Sequence, residues 1–188
     1  MKTKLKTNFL QHQVRKGKNF TLIQLSVITT TISLLATITL PAFSQRTETA
    51  KQAITTIGSM NRAQQAFFLE RNQFVAQKDF NQLGLGISPQ TPNYTYRIAG
   101  GGPKATIVTN QAIPRVNGLK AYIGGAKVGM VLQTSEATTL AVLCEAKKPK
   151  GMPGAATGQE LVTSGSASAP PGCPNSYVKV TQSLKLTR

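Results

Sequence analysis

Residues 20–45 read FTLIQLSVITTTISLLATITLPAFSQ and contain no charged side chain. As an α-helix, this stretch would extend about 39 Å, which exceeds the hydrocarbon core of a bilayer, about 30 Å thick. Its many hydroxyl side chains can bond to the carbonyl one turn back, so lipid tolerates them, and they favour packing against other helices. The segment therefore predicts a helix that crosses a membrane or packs among sister helices.

The charge on either side of this segment is uneven. Residues 1–19 carry six basic side chains and no acidic one, and such a flank predicts a cytoplasmic N-terminus and an exported remainder. Residues 46–188 hold 16 basic and six acidic side chains, so they account for +10 of the chain's net charge of +16. A secretory signal peptide is the alternative. The apolar run is longer than in such peptides and lacks a clean Ala-x-Ala cleavage site, which favours a retained helix.

The composition leaves little material for catalysis. The 188-residue chain has one histidine, His12, which precedes the apolar segment, and only six carboxylates. No CxxC, HExxH or GxSxG motif occurs, and residues 100–104 (GGGPK) lack the spacing of a phosphate-binding loop and indicate a turn. We therefore predict a protein that is not an enzyme and that uses neither a metal nor another cofactor.

The residues at the start of the apolar segment resemble the N-terminus of type IV pilins and type II secretion pseudopilins. The sequence FTLIQL begins at Phe20 after a basic leader, and Pro41 and Phe43 follow at the spacing of that family. The resemblance is specific over residues 15–45 and extends less sharply into the following helix. It implies an α+β type IV pilin fold, with a long N-terminal helix packed on a small antiparallel β-sheet.

The resemblance also implies how the N-terminus is processed. A prepilin peptidase would cut between Asn19 and Phe20 and methylate the new N-terminus, so residues 1–19 would be a leader. Asn19 stands where the family has glycine, and Gln24 stands where it has glutamate. A glutamine accepts a hydrogen bond but supplies no charge for the ammonium group of a neighbouring subunit. Gln24 therefore favours a minor or tip subunit, with an uncleaved paralogue as the alternative. The residues implied in subunit assembly are Phe20, Leu22, Gln24, Leu25 and Pro41.

Residues 46–188 are predicted to form an exported globular head. Apolar side chains recur at helical spacing from residue 50 to residue 68, which predicts that the helix continues to about Val75. Short strand-like runs separated by glycine-rich turns predict an antiparallel sheet. These runs are residues 94–98, 105–109, 119–123, 129–132 and 138–143, with 177–180 and 184–186 as candidates to close the sheet.

Two cysteines, Cys144 and Cys173, bracket a loop-like region in the exported part. A disulfide is the natural interpretation there and would contribute about 3 to 4 kcal/mol in the chain-entropy model, whereas two free buried thiols are the alternative. The resemblance likewise implies a disulfide-bounded C-terminal region on the fibre surface. Beside Cys144, the basic residues Lys147, Lys148 and Lys150 are candidate anion-binding residues. Few aromatic residues accompany them, so nucleic acid is a weak candidate partner.

The leading hypothesis is a minor structural subunit of a type IV pilus or pseudopilus that polymerises through its N-terminal helix. Its partners would be other pilin subunits, the prepilin peptidase, the pilus assembly machinery and the membrane. Before assembly it would sit in the bacterial inner membrane, and afterwards in a cell-surface pilus or a periplasmic pseudopilus. The alternatives are a membrane-tethered basic module that binds DNA or polysaccharide without polymerising, and a small secreted β protein.

Overall fold

The computed structural model describes the backbone of residues 22–181 and the side chains of residues 45–181. Helix α1 spans Leu22–Arg71, and a 3₁₀ segment spans Gln77–Leu83. The strands are β1 (Tyr94–Gly100), β2 (Ile107–Pro114), β3 (Tyr122–Met130), β4 (Ala137–Ala146) and β5 (Tyr177–Lys179). They form one antiparallel sheet in the order β1-β2-β3-β4-β5, which confirms the predicted α+β class. The chain divides into two units, residues 1–45 and residues 46–188.

Helix α1 ends at Arg71, four residues before the predicted end near Val75. Asn72 adopts a positive φ of 55°, and its N–H donates to the carbonyl oxygen of Phe68 at 2.8 Å, which closes the last turn. The chain then turns, and both Phe74 and Val75 are buried. Hydrophobic periodicity placed the end of the helix too late, because these two residues continue the apolar pattern although they belong to the next segment.

One face of α1, from Ala50 onward, packs against the sheet, as the periodicity predicted. Ala53, Ile57 and Met60 are completely buried. Burial of a side chain as large as isoleucine or methionine contributes about 1.5 to 3 kcal/mol, so this stripe provides much of the adhesion between helix and sheet. Other members of the predicted stripe are partly buried against the same core: Ala50, Ile54, Ala63, Phe67 and Phe68.

The sheet has fewer strands before residue 147 than the sequence predicted. The runs 119–123 and 129–132 were expected to be separate strands, and this expectation is wrong because β3 continues without a break from Tyr122, in the first run, to Met130, in the second. The predicted runs 94–98, 138–143 and 177–180 fall on β1, β4 and β5, and 105–109 overlaps the beginning of β2. The candidate run 184–186 lies outside the described residues.

Glycines inside β3 explain the difference, because a glycine in a strand pattern indicates a turn. Gly124 and Gly125 are adjacent, so positions for a side chain there point to opposite faces of the sheet. A Cβ on Gly124 would lie 2.6 Å from Cγ2 of Ile57 on α1, and one on Gly125 would lie 2.5 Å from Cγ2 of Val162. The two glycines therefore admit the helix on one face of β3 and the C-terminal region on the other.

Candidate functional site

The region between β4 and β5 covers the face of the sheet opposite α1, and a disulfide holds it at its end. Cys144 of β4 bonds to Cys173 with a Cα–Cα distance of 5.8 Å, which confirms the predicted pairing. Cys144 is fully buried among Ile123, Val142 and Tyr177, in a second cluster separate from the one under the helix. The loop-like region of the sequence is therefore a packed layer of the head.

A carboxylate organises the middle of this layer. Glu160 accepts hydrogen bonds from the N–H groups of Thr157 and Gly158, both at 2.8 Å, and from the hydroxyl of Tyr177 at 2.7 Å. Burial raises the pKa of Glu160, but the hydrogen bonds from Tyr177 and Thr157 outweigh it and leave the pKa lowered. Burial, and then the hydrogen bond to Glu160, raises the pKa of Tyr177. The charged carboxylate thus fixes residues 157–160 to β5.

A buried lysine anchors the far end of the same layer. Lys127 lies on β3 and is only 4% exposed, and its ammonium group donates to the carbonyl oxygens of Ser164, at 2.6 Å, and Ser166. A buried ammonium group is costly unless hydrogen bonds replace its water shell, and the two carbonyl oxygens serve that purpose. Lys127 therefore ties the serine-rich stretch, which the sequence indicated only as loop, to the sheet.

Three buried polar side chains lie in the mainly apolar contact between α1 and the sheet. Asn61 donates to the carbonyl oxygen of Val142 at 2.8 Å and accepts from Asn110 of β2 at 3.0 Å. Gln64 exchanges two hydrogen bonds with the backbone of Val75, at 2.8 and 3.1 Å. Gln64 and Asn110 are completely buried and Asn61 nearly so, and every buried polar side-chain atom in the described part of the chain has a partner. These bonds fix the position of the helix on the sheet, because a slip would leave several polar groups unpaired.

Sequence reasoning did not single out this polar group, although a signal was present. Asn61 and Gln64 follow the buried Ile57 at intervals of four and three, so they fall on the helix face that periodicity assigns to the core. A polar residue on such a face needs a partner from the sheet. The polar residues of β2 are Thr109, Asn110 and Gln111, which are adjacent in the strand. This polar run could have been identified as the source of the partner.

The residues predicted for processing and assembly lie mostly outside the described side chains. Asn19 and Phe20 lie outside the described residues altogether. The backbone positions of Leu22, Gln24, Leu25 and Pro41 fall within α1, but nothing is described of their side chains. In the part of the chain that is described, no helix is both long and apolar enough to cross a membrane. The predicted roles of these residues therefore stay predictions.

The three lysines predicted to bind anions are all described. Lys147 and Lys148 are exposed, and Lys150 is half-buried. The ammonium group of Lys148 donates to the carbonyl oxygen of Pro153 at 2.8 Å, and that of Lys150 donates to those of Pro114 and Arg115 at 3.0 and 3.1 Å. Lys150 is thereby held against the turn between β2 and β3, next to residues that are remote in sequence. Residues 45–181 contain no cluster of His, Cys, Asp or Glu side chains that could hold a metal ion.

A helix packed on an antiparallel sheet, with a disulfide-bounded C-terminal layer, defines a head domain with the pilin fold. Residues 50–173 match the family described as type IV pilin-like G and H. The match covers most of the chain, which therefore belongs to this type IV pilin-like family of structural subunits. It begins after residues 20–45, so the N-terminal processing motif rests on the resemblance alone. Comparisons with curated proteins and with solved structures each gave no match.

Proposed function

We propose that this chain is a minor subunit of a type IV pilus or pseudopilus and polymerises through the apolar part of α1. The observation that carries the proposal is the family match over the head, which directly follows a stretch of 26 uncharged residues. In the membrane, that stretch holds the subunit before assembly, and in the fibre it packs against the same stretch of other subunits. The head, with its disulfide-bounded layer, forms the outer surface.

Processing prepares the subunit for assembly. A prepilin peptidase cuts between Asn19 and Phe20, and the assembly machinery then moves the subunit from the inner membrane into the fibre. Phe20, Leu22, Leu25 and Pro41 shape the packing surface of the apolar stretch. Gln24 supplies a hydrogen bond where a shaft subunit would supply a charge, which suits a subunit used in few copies.

The N-terminus found in the native membrane tests this proposal. Mass spectrometry of the full chain is expected to find a mature protein that begins at methylated Phe20. An intact Met1 would favour the second candidate function, a tethered basic module that does not polymerise. The excess of basic side chains on the head supports this alternative. A protein that begins after Ser44 would overturn both membrane-bound functions.

The two departures from the family pattern give a sharper test of assembly. Asn19→Gly is expected to raise the processed fraction of the chain, and Gln24→Glu is expected to raise the fraction found in sheared fibres. Gln45→Glu is the matched control, since it makes the same change at the other end of the uncharged stretch and is expected to change neither fraction. If Gln24→Glu and Gln45→Glu behave alike, Gln24 has no special role in assembly.

A further inference from the structure

Three basic residues from distant parts of the sequence lie at the turn between β2 and β3. Arg46 of α1 packs its guanidinium group on Gly118, where an added Cβ would lie 3.3 Å from its central carbon. Lys150 donates to the carbonyl oxygens of Pro114 and Arg115, and its own carbonyl oxygen accepts from the N–H of Gly118 at 2.9 Å. We refer to Arg46, Arg115 and Lys150 as the basic turn cluster.

Within the described side chains, no carboxylate lies within salt-bridge distance of this cluster. Among residues 45–181, the basic side chains within salt-bridge distance of a carboxylate are Lys51 and Lys120, and neither belongs to it. Arg115 donates to the carbonyl oxygen of Thr91 at 2.7 Å. Backbone carbonyl groups therefore orient Arg115 and Lys150 without cancelling their charge, and the positive potential at the turn remains available to an anion.

The position of the cluster in the chain indicates which anion this is. Arg46 is the first charged residue after the 26 uncharged residues that end at Gln45. If those residues span the hydrocarbon core, Arg46 stands at the level of the lipid headgroups, together with the turn that it contacts. The tip of that turn also carries Val116, an apolar side chain that is 45% exposed. Cations beside an exposed apolar side chain suit the interface between headgroups and acyl chains.

We propose that the basic turn cluster binds the phosphate groups of anionic phospholipids and so orients the head on the membrane before assembly. The inference rests on the membrane-anchored subunit proposed above. A second copy of the chain fits the cluster less well, because its carboxylates are few and several are already engaged. Glu48 and Glu145 are in ion pairs, and Glu160 accepts four hydrogen bonds from Thr157, Gly158 and Tyr177.

The chain contains no tryptophan, so Val116→Trp places a single indole beside the cluster. The full chain with this change is reconstituted in nanodiscs that contain phosphatidylcholine carrying a nitroxide near the top of the acyl chain. Unlabelled phosphatidylglycerol or phosphatidylcholine is then added to the disc composition, and the relief of tryptophan quenching gives the relative affinity of the two lipids. We expect a preference for phosphatidylglycerol of about fivefold or more, since one cation at an anionic surface supplies about that factor.

Matched variants test whether the preference for phosphatidylglycerol depends on the basic turn cluster. Arg46→Gln, Arg115→Gln and Lys150→Gln together are expected to abolish the preference, and so is high salt, which screens the charges. The control removes the same charge far from the cluster, at the opposite ends of the helix and strands, by Arg71→Gln, Lys78→Gln and Lys104→Gln. This triple variant is expected to keep the preference for phosphatidylglycerol. Inorganic phosphate at constant ionic strength is expected to leave the preference unchanged. Thermal unfolding of each variant verifies that the head is folded.

The outcomes separate this inference from the proposed function. A chain that stays in the disc but shows no lipid preference, or loses it equally in both triple variants, overturns the lipid site and leaves the anchored subunit intact. A preference abolished by inorganic phosphate would reassign the cluster to a soluble anion and would overturn the lipid site as well. A chain that does not remain in the disc overturns the membrane anchor together with the inference.

Discussion

At the scale of single residues, a close approach between α1 and the sheet depends on the absence of a side chain at Gly124. Gly124 faces Ile57 and Asn61 so closely that a Cβ would overlap both of them. Asn61 uses the space to reach Val142 and Asn110, so the glycine and the asparagine form one unit. The helix cannot move outward to accommodate a methyl group without breaking these hydrogen bonds.

This arrangement predicts opposite effects for two glycine-to-alanine changes. Gly124→Ala is expected to lower the free energy of unfolding by about 1 to 3 kcal/mol, as is usual for overpacking in a core. Gly58→Ala is the control, because a Cβ there meets its nearest atoms at 3.8 Å and alanine favours the helix by about 0.5 to 1 kcal/mol. Urea unfolding of both variants measures the difference, and equal effects would contradict the assigned role of Gly124.

The ionised state of Glu160 predicts a dependence of stability on pH. Its folded-state pKa is lowered, so its contribution is present above the unfolded-state pKa and is lost as the pH falls through the folded-state value. Glu160→Gln is therefore expected to reduce the loss of stability between neutral and acidic pH. Glu136→Gln is the control for the change in net charge, since it removes one negative charge from an exposed side chain. The midpoint of urea unfolding across this range is the measurement, and parallel profiles for wild type and Glu160→Gln would count against the role of Glu160.

At the scale of elements, the sequence predicted the features that depend on the local pattern of apolar and polar residues. The stripe of Ala53, Ile57 and Met60 follows from helical periodicity, and β1 and β4 follow from alternation and β-branched content. The continuity of β3 could not be predicted, because Gly124 and Gly125 indicate a turn until the helix and Val162 are known to approach them. The basic turn cluster could not be predicted either, since Arg46, Arg115 and Lys150 are distant in sequence and come to the same turn only when the chain folds.

The disulfide-bounded layer is the element for which we expect the largest effect on stability. Cys144→Ala with Cys173→Ala is expected to lower the free energy of unfolding by about 3 to 4 kcal/mol, because the unfolded chain regains the entropy of an open loop. Hydrogen exchange is expected to rise in residues 147–172 before it rises in β1 and β2. A reducing agent serves as the control, since it should destabilise the wild type and leave the double variant unchanged. Uniform exchange across the sheet would show that the layer has no independent role.

At the scale of the whole molecule, the head's excess of positive charge bears on the fibre proposed above, because copies placed side by side would repel one another. Residues 46–188 carry a net charge of +10, and the basic turn cluster has no carboxylate partner within the described residues. Identical heads packed around a fibre repel one another, and the repulsion reaches about 10 Å at an ionic strength of 0.1 M. A subunit interspersed among acidic partners avoids that cost, which supports a minor role.

The same charge predicts how the purified full chain associates in detergent. Self-association measured by sedimentation is expected to be weak at low ionic strength and to strengthen as salt screens the repulsion between heads. Arg71→Gln, Lys78→Gln and Lys104→Gln together are expected to strengthen it at low salt, because they lower the net charge by three. Arg71→Lys, Lys78→Arg and Lys104→Arg are the matched control, since they keep the charge and are expected to retain the salt dependence. Association that is strong at low salt and indifferent to these changes would mean that the heads do not approach one another, and the charge argument for a minor subunit would then fail.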